Sequence, residues 1–180
     1  MRHLTTATNR RRGDRQRADD QRTFRGGLIL ALIVLTLPAC SEGASSSRVV
    51  GSYTIQTDSM VPTLNIGDNV DALVPNRLKR GDVIVFHTPP AANIKDIDVL
   101  VKRIVGLPGE SIEGRDGKIF VGGRPLREPY LLRDLRSTIF DATTIPAGQY
   151  FVLGDNRQFS NDSVHFGPIT RASIIGRVAT

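Results

Sequence analysis

Two side chains in this sequence have the chemistry to break an acyl bond, and each stands in a setting that favours it. Ser59 lies in Thr57-Asp58-Ser59-Met60-Val61-Pro62-Thr63-Leu64, where a predicted strand over 49–56 gives way to irregular backbone. Pro62 fixes its own φ and biases Val61 away from helix, so a serine at this corner can project its hydroxyl. Taken alone, the pattern is that of an ordinary turn serine. Lys102 lies inside the aliphatic run Asp98-Val99-Leu100-Val101-Lys102-Arg103-Ile104-Val105. Strand alternation puts it on the face of Leu100 and Ile104 and puts Arg103 with Val101 and Val105. A lysine there either snorkels to water from an edge or is buried. Burial disfavours the ammonium, and a drop of roughly 3 units from ~10.4 makes it a usable base near neutral pH. Arg103 stays charged and can pair with a carboxylate on the opposite face.

The histidines offer less. His3 lies in a polar tail, and His87 and His165 read as ordinary loop and surface residues. A triad of Ser59, His165 and Asp162 or Asp155 is the alternative use of the serine. No His, Cys and carboxylate cluster has metal-ligand spacing, and no cofactor is implied.

The elements that must position these groups are short. The 180 residues suit one domain, with 17 Gly, ten Pro and a single cysteine, Cys40, which excludes an intrachain disulfide. The net charge of +6 is concentrated in residues 1–25, which hold eight Arg against three Asp and leave +1 for the remainder. This asymmetry fits a membrane orientation signal better than a nucleic-acid face. The tail reads as disordered and cytoplasmic. An uncharged apolar run from Leu28 to Leu37 follows, within residues 26–40. It is shorter than the roughly 20 residues of a spanning helix and has the layout of an export signal or a short anchor. Its end, Leu37-Pro38-Ala39-Cys40, resembles the lipobox of bacterial lipoproteins, which implies cleavage before Cys40 and lipid on its sulfur. An uncleaved anchor is the other reading. Residues 41–48 are a Ser-rich tether.

From residue 49 onward the pattern is that of strands: 49–56, 69–74, 81–86, 98–105, 111–114, 118–121, 149–153 and 173–178. Asp116-Gly117 between apolar runs predicts a hairpin. Residues 124–142 read as irregular and charged, and no helix is expected beyond the apolar run. The expected fold is mostly antiparallel β with coiled, barrel-like sheets.

These pieces resemble the type I signal peptidases, the Ser/Lys membrane proteases that remove export signals. Four blocks occur in the family's order: 59–64 around the serine, the strand 81–86, the lysine block 102–110, and Gly154-Asp155-Asn156-Arg157 followed by Ser160, Asp162 and Ser163. The resemblance implies that Ser59 is the nucleophile and Lys102 its general base. It implies that Thr57 completes an oxyanion hole with the Ser59 amide, and that Ser160 orients the lysine. Ile55, Met60, Leu64 and Val101 then line pockets for small side chains, as in Ala-x-Ala signals, with Arg103, Asp155 and Asp162 around them. Val164 stands where the family has Arg, which leaves Arg103 as the candidate partner of Asp162.

The expected protein is therefore a membrane-bound endopeptidase of exported preproteins. Its catalytic domain, 49–180, lies outside the cytoplasm, with signal peptides and the lipid surface as partners and no nucleic acid. A pilin-maturation or conjugative-transfer peptidase of the same superfamily would keep the dyad and change the substrate. A self-cleaving repressor would need a DNA-binding domain where the apolar segment stands. A non-catalytic envelope lipoprotein with a degenerate peptidase fold would have no use for an intact Ser59, Lys102 and Ser160.

Overall fold

A computed structural model describes residues 48–132 and 139–179. The Arg-rich tail, the apolar run with Cys40 and most of the tether lie outside them. No helix among the described residues is long and apolar enough to cross a membrane.

The described chain is built from antiparallel strands. In order they are β1 (Val49–Thr54), β2 (Asn69–Leu73), β3 (Val83–His87), β4 (Val99–Gly106), β5 (Ser111–Arg115), β6 (Lys118–Val121), β7 (Arg124–Pro125), β8 (Phe140–Thr144), β9 (Gln149–Leu153), β10 (Ile169–Thr170) and β11 (Ile174–Val178). One four-residue helix, α1 (Ser163–Phe166), precedes β10. The larger sheet has the order β1-β2-β11-β3-β4-β9-β10 and the smaller β7-β6-β5-β8. No pairing closes either order into a ring among the described residues.

The sequence patterns account for these elements. β2 alternates buried Val70 and Ala72 with exposed Asn69 and Asp71, as a half-buried strand must. Val83 to Phe86 are all buried, because β3 is covered on both faces. Asp116 and Gly117 both take positive φ, 52° and 71°, the conformation of a tight hairpin turn between β5 and β6.

Three apolar clusters hold the sheets. Ile84, Phe86, Leu100, Ile104 and Val152 form one, and Ile55, Met60, Val70, Val83 and Val85 another. The third joins the two sheets through Val105, Ile112, Ile119, Ile145, Phe151 and Leu153. Gly106 sits at this junction, where a Cβ would lie 3.0 Å from Phe151 Cβ and closer still to Ile145 Cδ1.

The differences from the sequence reading are local. β1 ends at Thr54 rather than at 56, and residues 124–142 contribute β7 and the start of β8. α1 was not expected; Asp162 makes it possible by accepting a hydrogen bond from the Val164 N–H.

Candidate active site

After β1 the chain passes through extended Thr57 into a single 3-10 turn, Asp58–Met60, and leaves it through extended Val61 (φ −62°, ψ 135°). Pro62 enforces that exit, because the residue before a proline avoids the helical region. Met60 is 1% exposed and pins the turn to the apolar cluster beneath it. The Val61 N–H closes the turn on the Asp58 carbonyl at 3.1 Å. The Ser59 N–H lies ahead of that bond and is not used by the turn. The turn is also held from across the chain. Asn156 donates its backbone N–H to the Ser59 carbonyl at 3.0 Å and its Nδ2 to the Asp58 carbonyl at 3.2 Å.

Lys102 lies in the interior of β4, opposite Ile84 of β3, and is 2% exposed. Its Nζ is 2.7 Å from Ser59 Oγ. Burial lowers its pKa from the usual 10.5 to about 8, against the opposing pull of Asp162, Asp155 and Asp58. Desolvation therefore wins over three carboxylates, and a substantial neutral fraction exists just above neutral pH. Thr57 Oγ1 is 3.1 Å from Ser59 Oγ, with either hydroxyl able to donate. Ser59, Lys102 and Thr57, chosen from the sequence, thus meet at one point.

Arg103, on the opposite face of β4, holds Asp155 with two bonds: Nε to Oδ1 at 2.8 Å and Nη2 to Oδ2 at 2.6 Å. It also donates to the Gly81 carbonyl at 2.8 Å, and its guanidinium lies 4.0 Å from the centre of the Tyr130 ring. Thr63 Oγ1 donates to the same carboxylate. The expectation that Arg103 partners Asp162 is therefore corrected. Asp162 satisfies itself on backbone instead, accepting from Gly154 N at 3.1 Å and from Val164 N at 3.2 Å. Val164 in place of an arginine packs against the inter-sheet cluster.

Ser160 is buried, and its Oγ makes no hydrogen bond among the described residues, with Lys102 or with any other group. It lies against Gly154, where a Cβ would come within 2.5 Å of the Ser59 carbonyl oxygen and closer still to Ser160 Oγ. Only glycine lets the 154–157 turn approach the serine so closely. His87 and His165 are exposed, and neither bonds to Ser59, so the described site has no triad.

A cavity of about 340 Å³ opens beside Ser59 and Lys102, between residues 52–57 and 96–102. Ile55, Met60 and Val101 line it, whereas Leu64 does not and packs against the apolar cluster behind. Among the described residues β1 has a strand partner only in β2, and residues 99–102 of β4 pair with β3 alone, since β9 joins at Arg103. Both walls of the cavity therefore carry strand edges with unused backbone groups.

Sequence reasoning missed Glu128 and Tyr130 and gave Arg157 no role. Glu128 accepts from both Arg157 Nη1 and Nη2 and from the Tyr130 hydroxyl, the last at 2.7 Å. Burial and the Glu128 charge push the Tyr130 phenol well above its usual range. Residues 128 and 157 are far apart in a stretch without periodicity, so no local pattern marks them.

The family model described as "Signal peptidase, peptidase S26" matches residues 26–180. The chain is 38% identical over 132 residues to "Probable signal peptidase I-1" of Synechocystis sp., covering 68% of this chain and 65% of that protein. It is 36% identical over 152 residues to "Signal peptidase IB" of Staphylococcus aureus, covering 73% of this chain and 76% of that one. A solved structure of a signal peptidase I from Enterococcus faecalis is 34% identical with a TM-score of 0.48, covering 58% of this chain and 98% of the other.

Proposed function

The chain belongs to the signal peptidase family, peptidase S26, a serine peptidase family, and from that premise we propose that it is a membrane-held endopeptidase that removes N-terminal signal peptides from exported proteins after small residues. The observation that carries this reading is the 2.7 Å contact between a buried Lys102 Nζ and Ser59 Oγ. Neutral Lys102 takes the Ser59 proton as Oγ attacks the scissile carbonyl carbon. The oxyanion is held by the Ser59 N–H and the Thr57 hydroxyl, and such a donor contributes about 3 kcal/mol to the transition state. The C–N bond then breaks, and the Lys102 ammonium passes its proton to the leaving amine. In the second half Lys102 takes a proton from water, the hydroxide attacks the acyl ester, and Ser59 leaves with the proton restored.

An extended substrate strand between the two free edges would use their backbone groups for affinity. Ile55, Met60 and Val101 then shape the pockets for small side chains, with Leu64 supporting them from behind. Ser160, whose buried hydroxyl makes no hydrogen bond among the described residues, is by the family resemblance the group that orients the lysine. Residues 26–40 hold the enzyme at the membrane, by an uncleaved anchor or by lipid on Cys40. Residues 1–25 stay in the cytoplasm, and 49–180 work on the other side. The test is cleavage of a peptide ending in Ala-x-Ala, before a reporter, by the full chain in detergent. Wild type cleaves after the second alanine and Ser59→Ala does not; equal cleavage by both would refute the reading.

A further inference from the structure

The nucleophile's backbone is held by a turn, and that turn is itself held by a strap from the other sheet. Residues 126–132 follow β7, and Glu128 among them reaches Arg157 of the 154–157 turn. Glu128 and Arg157 are the contact, with side chains 7% and 2% exposed. Arg157 Nε donates to the Gly154 carbonyl at 3.0 Å, so the guanidinium bridges the strap carboxylate to the first residue of the turn. Tyr130 adds a hydroxyl on Glu128 and a ring face on Arg103. At the far end of the same turn, Asn156 holds the carbonyls of both Asp58 and Ser59.

We propose that Glu128, Arg157 and Asn156 are positioning residues that act as one latch, setting where Ser59 stands relative to Lys102. The latch rests on the reading of Ser59 as nucleophile for its catalytic consequence, though not for its mechanical one. A displacement of about 1 Å at a reacting group can cost on the order of 10²-fold in rate, so small movements of the turn are sufficient. Neither Glu128 nor Arg157 is among the charges that move the lysine's pKa, which are Asp162, Asp155 and Asp58. Opening the latch should therefore change the rate and leave the titration of the base where it is.

The experiment compares wild type, Glu128→Gln, Asn156→Ala and the double variant as full chains in detergent. Cleavage of the Ala-x-Ala peptide is followed from pH 6 to 10, and amide hydrogen exchange is followed over residues 57–64. For Glu128→Gln, kcat should fall about tenfold or more with KM within about twofold, because the change lies in geometry and not in the substrate walls. The acidic limb should coincide with that of wild type, expected near 8. Exchange of residues 57–64 should speed up while the β5–β6 hairpin is unchanged. The two single losses should not multiply in the double variant.

An unchanged kcat, unchanged exchange at 57–64, multiplying losses, or a limb moved up toward 10.5 would each overturn the latch; the last would mean that the site had merely loosened and hydrated. Should Glu128→Gln not fold, Arg157→Lys carries the same test, since it keeps the charge but loses the Nε bond to the Gly154 carbonyl and the two-pronged hold on Glu128. Exchange needs no turnover. A wild type inactive on the peptide whose 57–64 segment still responds to Glu128→Gln would refute the functional reading and leave the latch standing.

Discussion

Lys102 is buried where its charge is disfavoured, and that gives the site a signature in stability as well as in rate. Its folded pKa, about 8, is below the usual 10.5. Between those values the unfolded chain holds a proton that the folded chain has released, so stability rises with pH across that window, and the full penalty is present below 8. The difference corresponds to about 3 kcal/mol. Lys102→Met should therefore abolish cleavage, raise the melting temperature at pH 7 and remove the rise in stability between pH 8 and 10.5; differential scanning calorimetry across that range checks it. Gly154→Ala makes a different prediction. A methyl there collides with the Ser59 carbonyl and Ser160 Oγ. Overpacking of this kind costs roughly 1–3 kcal/mol, and the displaced serine should lower kcat by about 100-fold in steady-state assays. Lys102 stood out as a cation in an aliphatic strand, whereas Ser59, an ordinary turn serine by its own segment, was singled out by the order of the four blocks; the fold brings the two within 2.7 Å. The pairing of Arg103 was not legible, because Asp155 and Asp162 are equally plausible in sequence and only the fold turns one toward β4 and the other onto backbone.

Among the elements, β4 carries the site and joins the two sheets. Its first half pairs with β3 and leaves an edge open to the cavity; its second half pairs with β9 and packs on the small sheet. Gly106 is the point of contact. Gly106→Ala should destabilise the fold by roughly 1–3 kcal/mol in urea titration, with the pH-rate limb unmoved, because the collision is with Ile145 and Phe151 and not with the dyad. The strands with period two or continuous apolar runs were readable, and so was the hairpin at Asp116-Gly117. Residues 124–142 were not. β7 has two residues, four of the five in β8 are exposed, and the strap between them is held by a buried ion pair and a tyrosine, so its fixation leaves no hydrophobic period.

At the scale of the whole molecule, a basic tail and a short apolar segment precede the β domain in sequence. The proposed placement rests on charge: eight arginines precede the apolar run, and the rest of the chain is nearly neutral. Residues 49–180 should be degraded by protease added outside spheroplasts, and a chain beginning at residue 49 should be found in the soluble fraction. Holding enzyme and inserted substrate on one surface raises their effective concentration, so the shortened chain should cleave a soluble peptide at the wild-type rate but a membrane-inserted precursor more slowly. The claim beneath all of this is that Lys102 is the base for Ser59. The measurement that reaches it most directly is the pH dependence of peptide cleavage by wild type, Lys102→Arg and His165→Ala. The account predicts that the wild-type rate climbs with unit slope to a midpoint of about 8, that His165→Ala reproduces that limb, and that Lys102→Arg cleaves nothing at any pH. An active Lys102→Arg enzyme, or a limb that vanishes with His165, would contradict it.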